Sequence, residues 1–337
     1  MVNIAELFSQ KNVLDYVGNR QATPLLGETL FPARKVQGLE FDILKAGTRI
    51  PTIASVHAFD TEAEIASRVA SRSAQELAFI KRKIQLKEKD LIALRNPRTA
   101  EEQRFLEQEV YNDVYSMVSS VNARVEKMRM EVLANGTVTL DENGLDLVVD
   151  YGVPDEHKAN VDFAASGTDI IGLLTTWASS LDTMPTRILT STKVRNAILQ
   201  NAGIKGYFKD AGLLPTAGTL NQVLQQFGLP TIATYDAKYY KENAQGVLVK
   251  ERYFPENKLV MFGAENPGQS FVFTPEESRL LAGGSNDYTI GNVFATVYES
   301  GLDPVGTWTK AAGTALPSFP EADNVFQSKG LSGKKQE

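Results

Sequence analysis

The segment from Thr99 to Asn135 reads TAEEQRFLEQEVYNDVYSMVSSVNARVEKMRMEVLAN and contains neither proline nor glycine. Thr99 followed three residues later by Glu102 is typical of a helix N-terminus, where both side chains bond free backbone N–H groups. Asn135 and Gly136 predict its C-terminus, because glycine adopts a left-handed backbone at no steric cost. The sequence therefore predicts one helix over Thr99–Asn135, about 50 Å long at ~1.5 Å per residue.

Apolar side chains recur every three or four residues along this helix, which is the spacing of a single helical face. They are Phe105 or Leu106, Val110, Val114, Met117 or Val118, Val121, Val125, Met128 and Val132. Because the stripe covers one side only, it predicts packing against a core and not a membrane span. A helix several times the usual three turns indicates a protein defined by its shape and not by a pocket.

Composition limits the class of protein. The chain has 337 residues, 42% hydrophobic and 23% charged, which is typical of a globular protein of one large or two ordinary domains. The absence of cysteine excludes disulfides, thiol nucleophiles and thiolate metal sites. The net charge of −6 argues against tight binding to phosphates. The first ten residues carry Glu6 and no basic segment, so we expect cytoplasmic synthesis without a secretory signal.

Two segments before the long helix, 38–44 and 80–87, alternate between apolar and charged residues, which is a strand pattern. One polar face is acidic and the other basic, so we expect an antiparallel ladder that sets opposite charges across from each other. The expected contact residues are Glu40 and Asp42 on one strand and Lys81, Lys83 and Lys87 on the other. The connection Ala46–Ala78 is then a long projecting loop, either an interaction loop or a solvated loop without function.

The first 35 residues predict a short helix followed by an extended arm. Leu25, Leu26, Leu30 and Phe31 lie between Pro24 and Pro32, and such a segment has no evident core of its own. We expect these four apolar side chains to bind a neighbouring subunit. The alternative is a disordered tail, which so many large apolar residues disfavour.

The remainder predicts a mixture of helices and strands. A hairpin is expected from Thr137–Leu140 and Leu145–Tyr151, because Asn143-Gly144 lies between two apolar runs. Helices are predicted at Ile170–Leu181, Thr192–Asn201 and Leu220–Phe227, and strands at Thr186–Leu189, Thr231–Tyr235, Gly246–Val249, Lys258–Phe262, Phe271–Phe273 and Tyr288–Tyr298. The tail from Ser318 is expected to fray.

A search for chemistry finds no catalytic, cofactor-binding or metal-binding residues. The two histidines, His57 and His157, fall in predicted loops far apart in the sequence, and we interpret both as surface residues. No phosphate-binding glycine motif occurs. Asp141–Gly144 resembles part of a calcium loop, but Thr139 would fall at its first position, so calcium is rejected. Trp177 and Trp308 are expected in the core or an interface.

The order of these elements resembles that of the major capsid proteins of tailed bacteriophages, and more narrowly the lambda-type capsid protein E family. The residues that carry the resemblance are Phe31-Pro32, Lys87–Asp90, Asp150–Gly152, Met184–Ser191, Tyr235-Asp236 with Tyr239, Gly246, Tyr253–Pro255, Phe273–Glu276, Asp303–Val305 with Trp308, and Leu316–Pro320. The resemblance covers nearly the whole chain, and the segment Glu62–Gln75 matches it least.

This resemblance implies an α+β chain with the Hong Kong 97-like capsid fold. The implied parts are an N-terminal arm (1–35), an extended-loop (E-loop) hairpin (36–95), a peripheral domain (96–184) with a spine helix (99–135), an axial domain (185–285), and a return to the peripheral domain with a C-terminal tail (286–337).

The function implied is self-assembly, as hexamers and pentamers, into an icosahedral virion shell around double-stranded DNA. Expected partners are further copies of the chain, a portal, scaffold or decoration protein, and the packaged DNA by weak contact, with no membrane, no cofactor and no enzymatic activity. Assembly is expected in the bacterial host cytoplasm. Two alternatives stay open: an encapsulin-like nanocompartment shell and a cytosolic enzyme of unknown type.

Overall fold

The computed structural model describes residues 8–20, 24–44, 72–86, 88–142, 144–165, 167–243, 245–273, 289–290, 292–300 and 306–331. Helices in these ranges are α1 (Gln10–Asn19), α2 (Leu26–Leu30), α3 (Glu88–Arg95), α4 (Ala100–Asn135), α5 (Ile170–Ser180), α6 (Thr192–Gln200), α7 (Ala202–Asp210) and α8 (Ala217–Gln226). The strands are β1 (Ala33–Lys35), β2 (Glu40–Leu44), β3 (Arg72–Glu76), β4 (Ala78–Leu86), β5 (Thr137–Leu140), β6 (Leu147–Asp150), β7 (Lys158–Asn160), β8 (Arg187–Thr190), β9 (Ile232–Thr234), β10 (Lys238–Glu242), β11 (Leu248–Arg252), β12 (Lys258–Phe262), β13 (Gln269–Phe273), β14 (Thr289–Ile290), β15 (Val293–Ser300), β16 (Gly306–Ser318) and β17 (Val325–Lys329).

The predicted long helix is confirmed as α4, with both of its predicted ends. The Glu102 N–H donates to Thr99 Oγ1 at 3.1 Å, and the Glu102 carboxylate accepts from the Arg98 N–H at 2.8 Å. The carboxylate therefore reaches one residue further back than a standard capping box requires. Gly136 ends the helix with φ +71°, and its N–H donates to the Val132 carbonyl at 2.7 Å.

The apolar stripe of α4 is buried along its length. Its buried members are Val110, Val114, Met117, Val118, Val121, Val125, Met128 and Val132. The stripe begins at Leu106, which packs against the core, because Phe105 is 61% exposed.

The chain divides into two compact units. The first comprises residues 1–41, 76–128 and 269–317, and the second comprises 42–75, 129–268 and 318–337. Each unit collects segments that are far apart in the sequence, so neither is a continuous stretch of chain.

The first unit contains a mixed sheet in the order β1–β13–β16–β15–β14, with β4 also paired to β16. The part of the α4 stripe from Leu106 to Val121 packs on this sheet together with Phe8, Val13 and Val17 from the N-terminal segment. Gly313 in β16 allows this close packing, since a Cβ there would lie 3.1 Å from Val121 Cγ1.

The predicted ladder between segments 38–44 and 80–87 is wrong, because the two lie in different sheets. β2 pairs with β3, which lies in the segment that was expected to form the projecting loop. β4 pairs antiparallel with β16, from Ala78↔Ala315 to Leu86↔Thr307. The alternation of β4 was read correctly, but alternation fixes the faces of a strand and not its partner. Of the proposed loop Ala46–Ala78, residues 45–71 lie outside the described residues.

The second unit is built on a sheet in the order β7–β17–β12–β8–β9, with α5, α6, α7 and α8 packed on it. The strand β17 lies inside this sheet, between β7 and β12, so the expectation that the tail frays from Ser318 is wrong. Trp177 of α5 stacks on Phe326 of β17 with ring centres 4.7 Å apart, which confirms the predicted core position of that tryptophan.

The predicted hairpin after α4 is confirmed as β5–β6, with Leu140 opposite Leu147. The helices α5, α6 and α8 are confirmed within a few residues. The elements that were not predicted include α3, α7, β10, β16 and β17. None of the helices in the described ranges is both long and apolar enough to cross a membrane.

Candidate assembly surfaces

The predicted contact residues in the N-terminal segment divide into two buried and two partly buried side chains. Leu30 is 1% exposed and Phe31 is fully buried, while Leu25 and Leu26 are half-buried. The backbone around them is bound within the first unit, since the Gly27 N–H donates to Glu126 Oε1 at 2.9 Å and Ser270 Oγ donates to the Phe31 carbonyl at 3.2 Å. The premise that this segment has no core of its own is therefore wrong for Leu30 and Phe31.

The basic strand β4 carries Lys81 and Lys83 as exposed side chains on the sheet face opposite α4. Lys83 lies directly across from Lys310 on β16, and its Nζ is 4.3 Å from the ring centre of Trp308. Lys81 Nζ is 5.3 Å from the ring centre of Phe79. In the described part of the chain neither Lys81 nor Lys83 has a carboxylate partner, so this face is locally basic in an acidic protein.

The remaining predicted contact residues are less informative. Glu40 and Asp42 belong to the backbone of β2, but their side chains lie outside the described residues, as does the whole of Lys87. The expected pairing of these carboxylates with the β4 lysines depended on a ladder between β2 and β4, and that ladder does not form.

The antiparallel pair β10–β11 forms a ribbon whose tip is apolar and exposed. Tyr240, Val247, Leu248 and Val249 are between 42% and 60% exposed. The turn that joins the strands is tied by Asn243, whose Oδ1 accepts the N–H groups of Gln245 at 3.0 Å and Val247 at 2.8 Å. We call residues 240 and 247–250, which lie between the middle of the ribbon and its turn, the ribbon tip.

The base of this ribbon is held by charged and aromatic contacts. Asp236 accepts the Thr192 N–H at 3.1 Å at the start of α6 and forms an ion pair with Arg252. Tyr239 and Tyr253 lie with ring centres 5.0 Å apart. A hydrogen bond from Lys193 lowers the pKa of the Glu256 carboxyl, which also faces Arg252. Asp236, Tyr239 and Tyr253, which are among the residues that carry the family resemblance, therefore anchor the ribbon.

The neighbouring hairpin β5–β6 extends the exposed apolar surface. Leu145, Leu147 and Val148 are exposed, and Lys241 of β10 forms an ion pair with Glu142 at 3.3 Å.

A second feature of this unit is a cleft of about 380 Å³ between α7 and the chain before α5. Its lining residues are Gly167, Thr168, Asp169, Ile170, Ile171, Gly203, Ile204, Gly206, Tyr207 and Asp210. Exposed apolar side chains continue beyond it at Leu213, Leu214 and Phe227, the last packed edge to face on Tyr207 at 5.3 Å.

The walls of the cleft are joined by one buried side chain, Asn201. Its Oδ1 accepts the Gly203 N–H at 2.9 Å, and its Nδ2 lies 3.2 Å from the carbonyls of Ala165 and Thr168. The helix predicted over Thr192–Asn201 was not followed by a second predicted helix, and α7 begins with Ala202 and Gly203, a poor helix former. The signal present was Asn201 as an N-cap followed by Ile204 and Phe208 at helical spacing.

The interpretation of His157 as a surface residue is wrong. It is 6% exposed, its Nε2–H donates to the Ser180 carbonyl at 3.2 Å, and its ring lies 6.2 Å from that of Phe326. His57 lies outside the described residues. Within the described ranges, no group of three or more potential ligand side chains is placed to hold a metal ion.

Comparison with known proteins gives a family and a fold. The family model described as phage major capsid protein E matches residues 9–329. A crystal structure assigned as the capsid protein of a prophage of Escherichia coli CFT073 is 12% identical, covers 95% of this chain and 98% of its own, and has a TM-score of 0.63. A phage-related protein of Bordetella bronchiseptica RB50 is 10% identical over 95% and 97%, with a TM-score of 0.56. A search of the curated proteins finds no match.

Proposed function

The chain belongs to the phage major capsid protein E family, and from that premise we propose that it forms the icosahedral head of a tailed phage as hexamers and pentamers around double-stranded DNA. Its role as a major capsid protein with the Hong Kong 97-like fold follows from the membership itself, which extends over residues 9–329. That match is the observation that carries the proposal. It favours a genome-enclosing shell over the nanocompartment and enzyme alternatives.

The proposed subunit has an arm (1–35), an extended loop (36–95), a peripheral domain (96–184 and 286–337) and an axial domain (185–285). Contacts between subunits are proposed at Leu25 and Leu26 in the arm and at Lys81 and Lys83 on β4. Leu30 and Phe31 are left out, because their burial leaves no surface for a neighbour. Glu40, Asp42 and Lys87 stay in the proposal on sequence grounds alone.

The basic face of β4 supports a role in assembly through its electrostatics. Lys81 and Lys83 are both exposed on this face. An acidic surface on a neighbouring subunit would therefore meet two lysines with which it could form ion pairs. Each exposed ion pair contributes only ~0–1 kcal/mol, but a shell repeats it in every subunit.

The proposed contact with packaged DNA is weak and non-specific. With a net charge of −6 the subunit would repel phosphates at long range, so the genome could enter and leave the shell. The proposal also gives the protein a structural role without catalysis and places it in the virion. It includes assembly in the host cytoplasm, with a portal, scaffold or decoration protein as partners.

Negative-stain microscopy of the expressed chain, with absorbance at 260 and 280 nm, tests this function. We expect closed particles of uniform diameter, alone or with a scaffold protein supplied from the same genome. Uniform particles that always carry a protein cargo would instead support the nanocompartment. A chain that stays monomeric under every assembly condition would overturn the proposal.

A further inference from the structure

We propose that the ribbon tip of one subunit docks into the α7 cleft of the next subunit, and that this contact closes the capsid rings. The inference rests on the proposed function, which requires rings, and assigns the residues that form them. The occupant of the cleft is thus a second copy of this chain.

The ribbon needs a partner and is already shaped to meet one. An isolated two-stranded hairpin is marginally stable in water, and this one is held in its unit at its base and by the Lys241–Glu142 ion pair. Here Val247, Leu248 and Val249 are largely exposed at its tip. The Asn243 turn and the Asp236–Arg252 ion pair fix its two ends, so little conformational entropy would be lost on docking.

The cleft offers a concave surface that a strand can approach closely. Gly203 and Gly206 lie on the same side of α7, three residues apart, and both line the cleft. Among the described atoms, none lies within 4 Å of a Cβ built on Gly206, so the space above it is open. Tyr207 lines the cleft, and Leu214, which is 76% exposed, adds apolar surface beyond it.

The charges of the two surfaces are complementary. The cleft is lined by the carboxylates of Asp169 and Asp210. The ribbon carries exposed Lys238 at its base and exposed Lys250 at its middle, where Lys250 Nζ lies 5.4 Å from the ring centre of Tyr240. Its exposed carboxylate nearest the turn is Glu242, which lies opposite Leu248. A lysine entering beside the apolar tip would therefore meet a carboxylate in the cleft, which favours correct register over self-pairing of two ribbons.

The tip and the cleft share no residue, so the contact can run head-to-tail, with each subunit giving its tip to one neighbour and its cleft to the other. Such heterologous contacts form closed rings when the rotation between subunits closes. A ribbon bound to another ribbon would instead give an isologous pair and stop at a dimer. Two subunits that exchange tips reciprocally would also stop at a dimer, so the rings that a capsid requires need the head-to-tail arrangement.

Disulfide trapping in assembled particles tests the contact, because the native chain has no cysteine to interfere. The variant Leu248→Cys/Gly206→Cys should, after mild oxidation, give a ladder of cross-linked species up to the ring size on a non-reducing gel. Either single variant should stay monomeric on the same gel. Dimers from Leu248→Cys alone, or only monomers from the double variant, would overturn the inference.

A second variant covers the case in which cysteines disturb assembly. Gly206→Trp should fill the cleft and reduce particle yield at least tenfold, with an unchanged circular dichroism spectrum. Gly18→Trp, at another glycine whose Cβ position is open, should assemble normally. Normal particles from Gly206→Trp would contradict the contact, whereas failure of the unmodified chain to form particles would count against the proposed function itself.

Discussion

Single glycines determine whether this backbone can turn, and Gly136 is the most constrained of those described. It combines a left-handed backbone, φ +71°, with a Cβ position only 2.6 Å from Val153 Cγ2. Gly144 has a similar φ of +82°, but no described atom lies within 4 Å of its Cβ position. A substitution at Gly144 therefore measures the cost of backbone strain alone, and the same substitution at Gly136 measures that cost together with the steric conflict.

Gly136→Ala should cost more stability than Gly144→Ala. The left-handed backbone alone costs an alanine about 1–2 kcal/mol, and overpacking adds ~1–3 kcal/mol at Gly136 only. Urea unfolding of both variants measures the difference. Equal losses would mean that Val153 moves aside freely.

Substitution of Asn201 can separate the hydrogen bond that its side chain accepts from those that it donates. Asn201→Ala should lower the free energy of unfolding by about 1–3 kcal/mol, because it leaves the Gly203 N–H and buried carbonyls without their partner. Asn201→Asp keeps the acceptor but turns a carboxylate toward those carbonyls, so it should cost at least as much. A wild-type midpoint for Asn201→Asp would show that the donated bonds contribute nothing.

Lys258 should destabilise the fold at neutral pH. Burial, reinforced by the nearby Lys329 and Lys158, lowers its pKa from the ordinary 10.5. The unfolded chain then binds the proton more tightly, so this penalty is full below the folded pKa and disappears as the pH rises through 10.5. Lys258→Met should raise the urea midpoint at pH 7, and its advantage should shrink at pH 10.

Lys193→Met is the control for this pH dependence. Lys193 donates to Glu256 at 2.7 Å, so its removal should lower or leave unchanged the midpoint at pH 7. A gain of the same size in both variants would mean that any lost lysine stabilises the protein through net charge.

At the scale of elements, α4 is the helix whose continuity matters most. Residues 100–128 belong to the first unit and 129–135 to the second, so one helix belongs to both units. Each end is fixed locally, by Thr99 and by Gly136. A substitution that interrupts the middle of α4 would leave both helix ends intact and would remove only the continuous helix between them.

Ser116→Pro tests that continuity without touching the core, because Ser116 is exposed. A proline in a helix interior costs about 3 kcal/mol or more through a lost hydrogen bond and a clash with the carbonyl four residues back. We expect folded but assembly-defective subunits, seen as lost particles by microscopy. Ser116→Ala should assemble normally, and normal shells from both variants would show that continuity is dispensable.

Elements with local signals could be predicted from the sequence, and pairings between distant segments could not. The cap at Thr99, the stop at Gly136 and the hairpin around Gly144 depend on neighbouring residues only, and all three are confirmed. The partner of β4 lies more than 200 residues away in β16, and no property of β4 alone identifies it. The acidic alternation of β2 suggested a false partner, because cross-strand charge pairs are worth too little to determine topology.

The candidate site was harder to predict than the fold. The sequence of the ribbon tip is that of an ordinary strand end. Its exposure depends on the Asp236–Arg252 ion pair, which holds the base of the ribbon. Leu30 and Phe31 show the opposite error, since their flanking prolines suggested an arm without a core. Burial depends on which distant segments come together, and one sequence does not give that.

For the whole molecule, the basic face of β4 should make assembly sensitive to charge. Lys81→Glu/Lys83→Glu should reduce particle yield more than Lys334→Glu/Lys335→Glu, which makes the same change in net charge. Folding should be spared, because a glutamate at position 83 would face Lys310. Light scattering during assembly at several salt concentrations measures the effect, and equal losses from both double variants would assign it to net charge.

The position of β17 also has a consequence for synthesis on the ribosome. The sheet of the second unit receives β17, an internal strand, only after residue 329 has been translated, and the first unit waits for β16. A nascent chain of even 300 residues therefore has two unfinished sheets. We expect chains ended by a premature stop codon to be proteolysed before they meet a growing shell, so that only full-length subunits are incorporated.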